Sequence, residues 1–101
     1  MAKLDGKVAL ITGAAVGLGQ GIASVYAKYG AKLCLFDRDP QVEATAQELR
    51  DSYQIDIISY IGDVSRLEDL EAAVSQTIQA LGILILPAVM LVSASWRPLK
   101  K

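Results

Sequence analysis

The sequence has no histidine, one cysteine and three prolines among 101 residues. Without histidine there is no imidazole to serve as acid, base or metal ligand. A single cysteine excludes an intrachain disulfide and any site built on paired thiolates. An excess of either charge is missing too: ten basic residues face eleven acidic ones, for a formal net charge of −1. That balance argues against a nucleic-acid partner and against a polybasic membrane surface. Residues 1–7 lack the apolar core of a signal peptide, so the expected location is cytoplasmic. Apolar residues, by contrast, are plentiful, at 52% of the chain. This is too many for intrinsic disorder, and the length suits one domain.

The apolar residues are arranged in two alternating periods. Val8-Ala9-Leu10-Ile11 is a short continuous run, as expected of a strand buried on both faces. Leu18, Ile22, Val25, Tyr26 and Tyr29 then recur at helical spacing, and Gly30 stands where a helix-terminating glycine belongs. Lys32–Asp37 reads as a second strand, with Cys34 as a core residue. Asp39 is placed to cap a second helix with Pro40 in its first turn and Val42, Ala46, Leu49 and Tyr53 on one face. A third strand is expected over Ile55–Ile61. Ser65 and Glu68 have the spacing of a capping box, opening a helix whose apolar face is Leu67, Leu70, Val74, Ile78 and Leu81. The order β-α-β-α-β-α predicts an α/β fold, a parallel sheet layered with helices.

One turn carries chemistry. Thr12-Gly13-Ala14-Ala15-Val16-Gly17-Leu18-Gly19 joins the first strand to the first helix. A glycine-rich strand-to-helix turn lets backbone approach a diphosphate, which rests on the positive end of the helix. Gly13 would make the tight turn, Gly17 the close approach and Gly19 the packing of helix on strand, with Leu18 between the last two. Asp37 ends the second strand, where a carboxylate can accept both hydroxyls of an adenosine ribose and repel a 2′-phosphate. This favours NAD over NADP as the bound partner; Arg38 beside it pulls the other way.

Gly6-Lys7-Val8-Ala9-Leu10-Ile11-Thr12-Gly13, the TGxxxGxG spacing, Asp37 and Gly62-Asp63-Val64 resemble the N-terminal, cofactor-binding half of a short-chain dehydrogenase/reductase. The resemblance runs from Leu4 to about Gly82. It implies a partial Rossmann fold, an NAD(P)-dependent oxidoreductase acting on a secondary alcohol or ketone, and an adenine contact for Asp63 and Val64. Read without the resemblance, Asp63 is a turn residue beside Ser65. The family's chemistry needs a tyrosine followed four residues later by a lysine. The residues four positions after Tyr26, Tyr29, Tyr53 and Tyr60 are Gly30, Leu33, Ile57 and Val64. No catalytic residue is therefore assigned, and no activity is expected of this chain alone.

The sequence divides at Gly82. Residues 1–82 read as a nucleotide-binding half-domain. Residues 83–101 form an apolar tail, with Ile83–Leu86 as a candidate fourth strand. The resemblance leads one to expect Asn-Asn-Ala-Gly after that strand, and Leu86-Pro87-Ala88-Val89-Met90 does not match it. Shifted by one frame, codons for Gly82–Val92 can spell His-Ile-Asp-Ile, three residues, then Asn-Ala-Gly. A nucleotide lost at or just before Gly82 is the corresponding expectation, making this a truncated family member. Two alternatives stand beside it. One is a non-catalytic nucleotide-binding module, whose first strand would need a neighbour on its far edge to avoid aggregation. The other is a tail anchor: Ala80–Trp96 carries no charge but is short for a membrane span and is broken by Pro87.

Overall fold

The computed structural model describes residues 4–82. They form β1 (Val8–Thr12), α1 (Gly17–Lys28), β2 (Lys32–Asp37), α2 (Gln41–Tyr53), β3 (Ile57–Ile61) and α3 (Leu67–Leu81). The three strands make one parallel sheet in the order β1-β2-β3, with Leu10 opposite Cys34 and Cys34 opposite Ile58. This is the expected α/β, partial Rossmann architecture. The candidate fourth strand and the rest of the tail lie outside the described residues. Among the described residues, no helix is long and apolar enough to cross a membrane.

Side chains alternate across a strand, so each strand feeds two cores. On one face Ala9, Ile11, Leu33, Leu35 and Ile57 pack with residues of α1 and α2. On the other, Leu10, Cys34 and Phe36 pack against Ala73 of α3, with Ile58, Tyr60, Leu70 and Val74 around them. The rings of Phe36 and Tyr60 stack with centroids 5.7 Å apart. Two helices on one face and the third on the other is the arrangement of a doubly wound sheet. Burial pushes the Cys34 thiol up to about 11, against the opposing effect of Thr77, so it is a neutral core group at physiological pH.

The helices correct several expectations. The core face of α1 is Gly19, Ala23 and Ala27, with Ile22 and Tyr26 partly buried beside it. Leu18, Val25 and Tyr29 of the expected stripe are exposed. Small residues let α1 sit close to the sheet, and larger side chains along that line would hold it off. On α3 the buried residues are Ala73 and Thr77, while Leu67 and Ile78 are exposed. Leu67, Leu70, Val74 and Ile78 line an open apolar groove there. On α2 the expected face holds: Val42, Ala46 and Leu49 are buried and Tyr53 packs at the edge.

The helix ends follow their local hydrogen bonds. Gly30, at φ +94°, donates to the Ala27 carbonyl at 3.0 Å, and Ala31 donates to that of Tyr26 at 3.1 Å. This pair of bonds is the Schellman closure, which needs a left-handed residue at Gly30. At the start of α2, the Asp39 carboxylate accepts the Gln41 N–H at 2.9 Å, as its capping position predicts. The third strand starts at Ile57 rather than Ile55. The Ser65–Glu68 capping box does not form: α3 begins after Arg66, with no side-chain cap.

Candidate cofactor-binding site

The parallel register brings the carboxyl ends of all three strands to one edge. Thr12 lies opposite Phe36, and Asp37 opposite Ile61, so the loops that follow are neighbours. In an open α/β sheet ligands bind at this edge. Gly13, Gly17, Leu18 and Gly19 surround the first loop, Asp37 starts the second, and Asp63 and Val64 form the third. The residues singled out in the sequence for the cofactor thus lie in or beside the loops at this edge.

The first loop turns by left-handed backbone at Gly13 (φ +67°) and Gly17 (φ +68°), a region that side-chain-bearing residues rarely adopt. Gly19 is buried beneath the turn. A Cβ there would lie 2.0 Å from the Gly13 carbonyl oxygen and 2.6 Å from its carbon, so only glycine brings α1 this close. Val16 precedes α1 with no side-chain cap, and no acidic residue stands in the first helical turn. The helix therefore presents its first N–H groups without a negative side chain to compete for them. Leu18 is 65% exposed beside them.

Asp37 ties the three loops together. One carboxylate oxygen accepts the Ala15 N–H at 2.9 Å and the other accepts the Asp39 N–H at 3.0 Å. Its backbone carbonyl accepts the Gly62 N–H at 3.0 Å. A carboxylate gripped by two N–H donors is fixed in direction and keeps lone pairs for further donors. Thr45, fully buried on α2, donates its hydroxyl to the Ala15 carbonyl at 2.7 Å. Periodicity and motif spacing do not single out Thr45. Its signal is a hydroxyl within the otherwise apolar run of buried α2 residues.

The third loop is organised by carboxylates. Asp69 accepts the Asp63 N–H at 2.9 Å, and Asp63 accepts both the N–H (2.9 Å) and the hydroxyl (2.8 Å) of Ser65. These two bonds hold the Asp63 carboxyl below the usual carboxylate range, and Arg38 and Arg66 act in the same direction. A lowered folded-state pKa stabilises above the unfolded value, and the contribution is lost as pH falls through the folded one. A carbon-detected NMR titration should accordingly place the Asp63 midpoint below the ordinary value of about 3.9. Ser65→Ala should move it upward without fully restoring it, because the backbone N–H remains. A midpoint at the ordinary value would contradict this geometry.

Val64 is exposed at the tip of this loop. Among the described residues no cluster of carboxylate or thiol groups could hold a metal ion.

The sequence and the fold are similar to those of known proteins. The family model for short chain dehydrogenase matches residues 7–94. Oxidoreductase UcpA of Escherichia coli (strain K12) is 55% identical over 49 residues, covering 48% of this chain and 19% of that protein. The 11-beta-hydroxysteroid dehydrogenase-like 2 of Arabidopsis thaliana is 44% identical over 80 residues, covering 78% of this chain and 26% of that one. Among solved structures, L-sorbose reductase from Gluconobacter frateurii, complexed with NADPH and L-sorbose, superposes with a TM-score of 0.75. It shares 31% identity and is matched over 78% of this chain and 30% of its own. The chain thus spans 19% to 30% of the length of these relatives.

Proposed function

Because the chain belongs to the short chain dehydrogenase family, we propose that residues 1–82 form the NAD(P)-binding half-domain of an oxidoreductase and that NAD is the preferred cofactor. The observation that carries this reading is the position of Asp37, its carboxylate held by two N–H groups between the glycine turn and the loop of Asp63. In the proposed complex Gly13, Gly17, Leu18 and Gly19 receive the diphosphate at the start of α1. Asp37 accepts the ribose hydroxyls, and Asp63 with Val64 borders the adenine. The turn runs through left-handed backbone without side chains at Gly13 and Gly17, and the helix end carries no competing acid, so the residues present fit the group.

The preference for NAD rests on charge. A 2′-phosphate would lie against the fixed Asp37 carboxylate, and the charge of the exposed Arg38 also acts on Asp63. The cofactor, when bound, supplies a nicotinamide that exchanges hydride with a secondary alcohol or ketone. This chain's part is to bind and orient the adenosine end. A Tyr-x-x-x-Lys pair is absent from the sequence, so substrate turnover by this chain alone is not expected.

Isothermal titration of the full chain tests the reading. NAD should bind saturably and about tenfold or more tighter than NADP, a gap of about 1.4 kcal/mol. Equal affinity would remove the preference. No saturable binding at millimolar NAD would remove the reading itself.

A further inference from the structure

We propose that Thr45 is a positioning residue for the cofactor turn, holding the Ala15 peptide so that the glycine loop is set before any ligand arrives. The inference rests on the dinucleotide reading above and adds to it a residue on a different helix. Thr45 lies within α2, 30 residues from Ala15 in sequence, and is 1% exposed. Its hydroxyl donates to the Ala15 carbonyl at 2.7 Å, while the Ala15 N–H donates to Asp37 at 2.9 Å. Ala15 is therefore clamped at both ends by groups from two other elements.

Planarity makes this clamp directional. In a trans peptide the carbonyl and the following N–H point opposite ways. Fixing the Ala15 carbonyl on Thr45 turns the Val16 N–H away from α2, and fixing the Ala15 N–H on Asp37 turns the Ala14 carbonyl away from that carboxylate. The two peptide planes that flank Ala15 are thus set, and Val16 alone links the second of them to α1, which begins at Gly17. Val at position 45 would fill nearly the same volume and remove only the donor. It would leave the buried Ala15 carbonyl without its partner.

The test compares Thr45→Val, Thr45→Ser and the unaltered full chain, first without ligand. Amide hydrogen exchange at Ala15 should quicken about tenfold in Thr45→Val relative to Leu33 and Leu35 in the sheet, and return to within about twofold of the parent in Thr45→Ser. Titration then separates ligands. Thr45→Val should weaken NAD about tenfold and adenosine, which lacks the diphosphate, less than about twofold. Unchanged Ala15 exchange, a uniform rise that includes Leu33 and Leu35, equal weakening of both ligands, or failure of serine to restore would each overturn the proposal. Should Thr45→Val not fold, Thr45→Ala is read against Thr45→Ser by the same criteria. Absence of NAD binding in the parent chain would sink the dinucleotide reading instead, and the exchange comparison would still decide the role of Thr45.

Discussion

Replacing Gly19 by alanine should abolish measurable NAD binding and destabilise the chain, while the same replacement two residues later at Gly21 should stabilise it. The two glycines share one helix and differ in what a methyl group would meet. At position 19 it would meet the Gly13 carbonyl oxygen at 2.0 Å, the Gly13 carbon at 2.6 Å and the Ala14 Cα at 3.2 Å, all of them backbone. Nothing there can rotate away, so α1 must lift from the turn. Overpacking of this kind costs about 1–3 kcal/mol or more, and the displaced helix end no longer faces the loop that Gly13 forms. At position 21 a methyl group would meet nothing within 4 Å. Alanine there restricts the unfolded chain and should add roughly 0.5–1 kcal/mol, with NAD affinity unchanged. Urea unfolding and NAD titration of the two variants check the contrast. Equal responses would contradict it.

Asp37→Ala should produce the second large effect, on stability and on cofactor choice together. The Ala15 N–H is buried and has the Asp37 carboxylate as its acceptor, so alanine leaves a donor without a partner. That loss is expected to cost about 1–3 kcal/mol. NAD affinity should fall at least about tenfold as the ribose acceptor disappears. NADP should lose less, since removing the carboxylate also removes its repulsion of a 2′-phosphate, and the ratio of the two dissociation constants should move toward or past unity. Asp37→Asn keeps one acceptor oxygen and should fall between the parent and alanine in stability. Parallel titrations with both cofactors and thermal unfolding of each variant provide the check. A loss of NAD binding with an unchanged ratio would assign Asp37 to loop anchoring alone.

How far the sequence reaches is visible at particular residues. Leu33–Phe36 is an apolar run between Lys32 and the Asp37 carboxylate, and the strand expected over Lys32–Asp37 has the bounds of β2. The glycine spacing at Gly13, Gly17 and Gly19 is legible because each position answers a backbone demand: a left-handed turn in the first two, close contact in the third.

The core face of α1 was not legible in the same way. Hydrophobic periodicity weights large side chains and so selects Leu18 and Val25, whereas the contact with the sheet selects small ones, Gly19, Ala23 and Ala27. Ser65 and Glu68 show a different limit. Their spacing fits a capping box, but Asp63 stands two residues earlier. A carboxylate is the stronger acceptor, and it takes both the N–H and the hydroxyl of Ser65. The role of Thr45 is not legible in the sequence because its partner, the Ala15 carbonyl, is distant in sequence and carries no side-chain signature.

The proposed binding surface is one sheet edge, built from the loops after β1, β2 and β3, which would hold the adenosine-diphosphate end of a dinucleotide. The most direct measurement is a titration of the ¹⁵N-labelled full chain with NAD, followed through its amide resonances. Saturable shifts are expected at residues 13–19, at Asp37 and Arg38, and at residues 62–64, with the amides of α3 beyond Leu70 unmoved. Shifts centred on the apolar groove of α3, or none up to millimolar NAD, would contradict it.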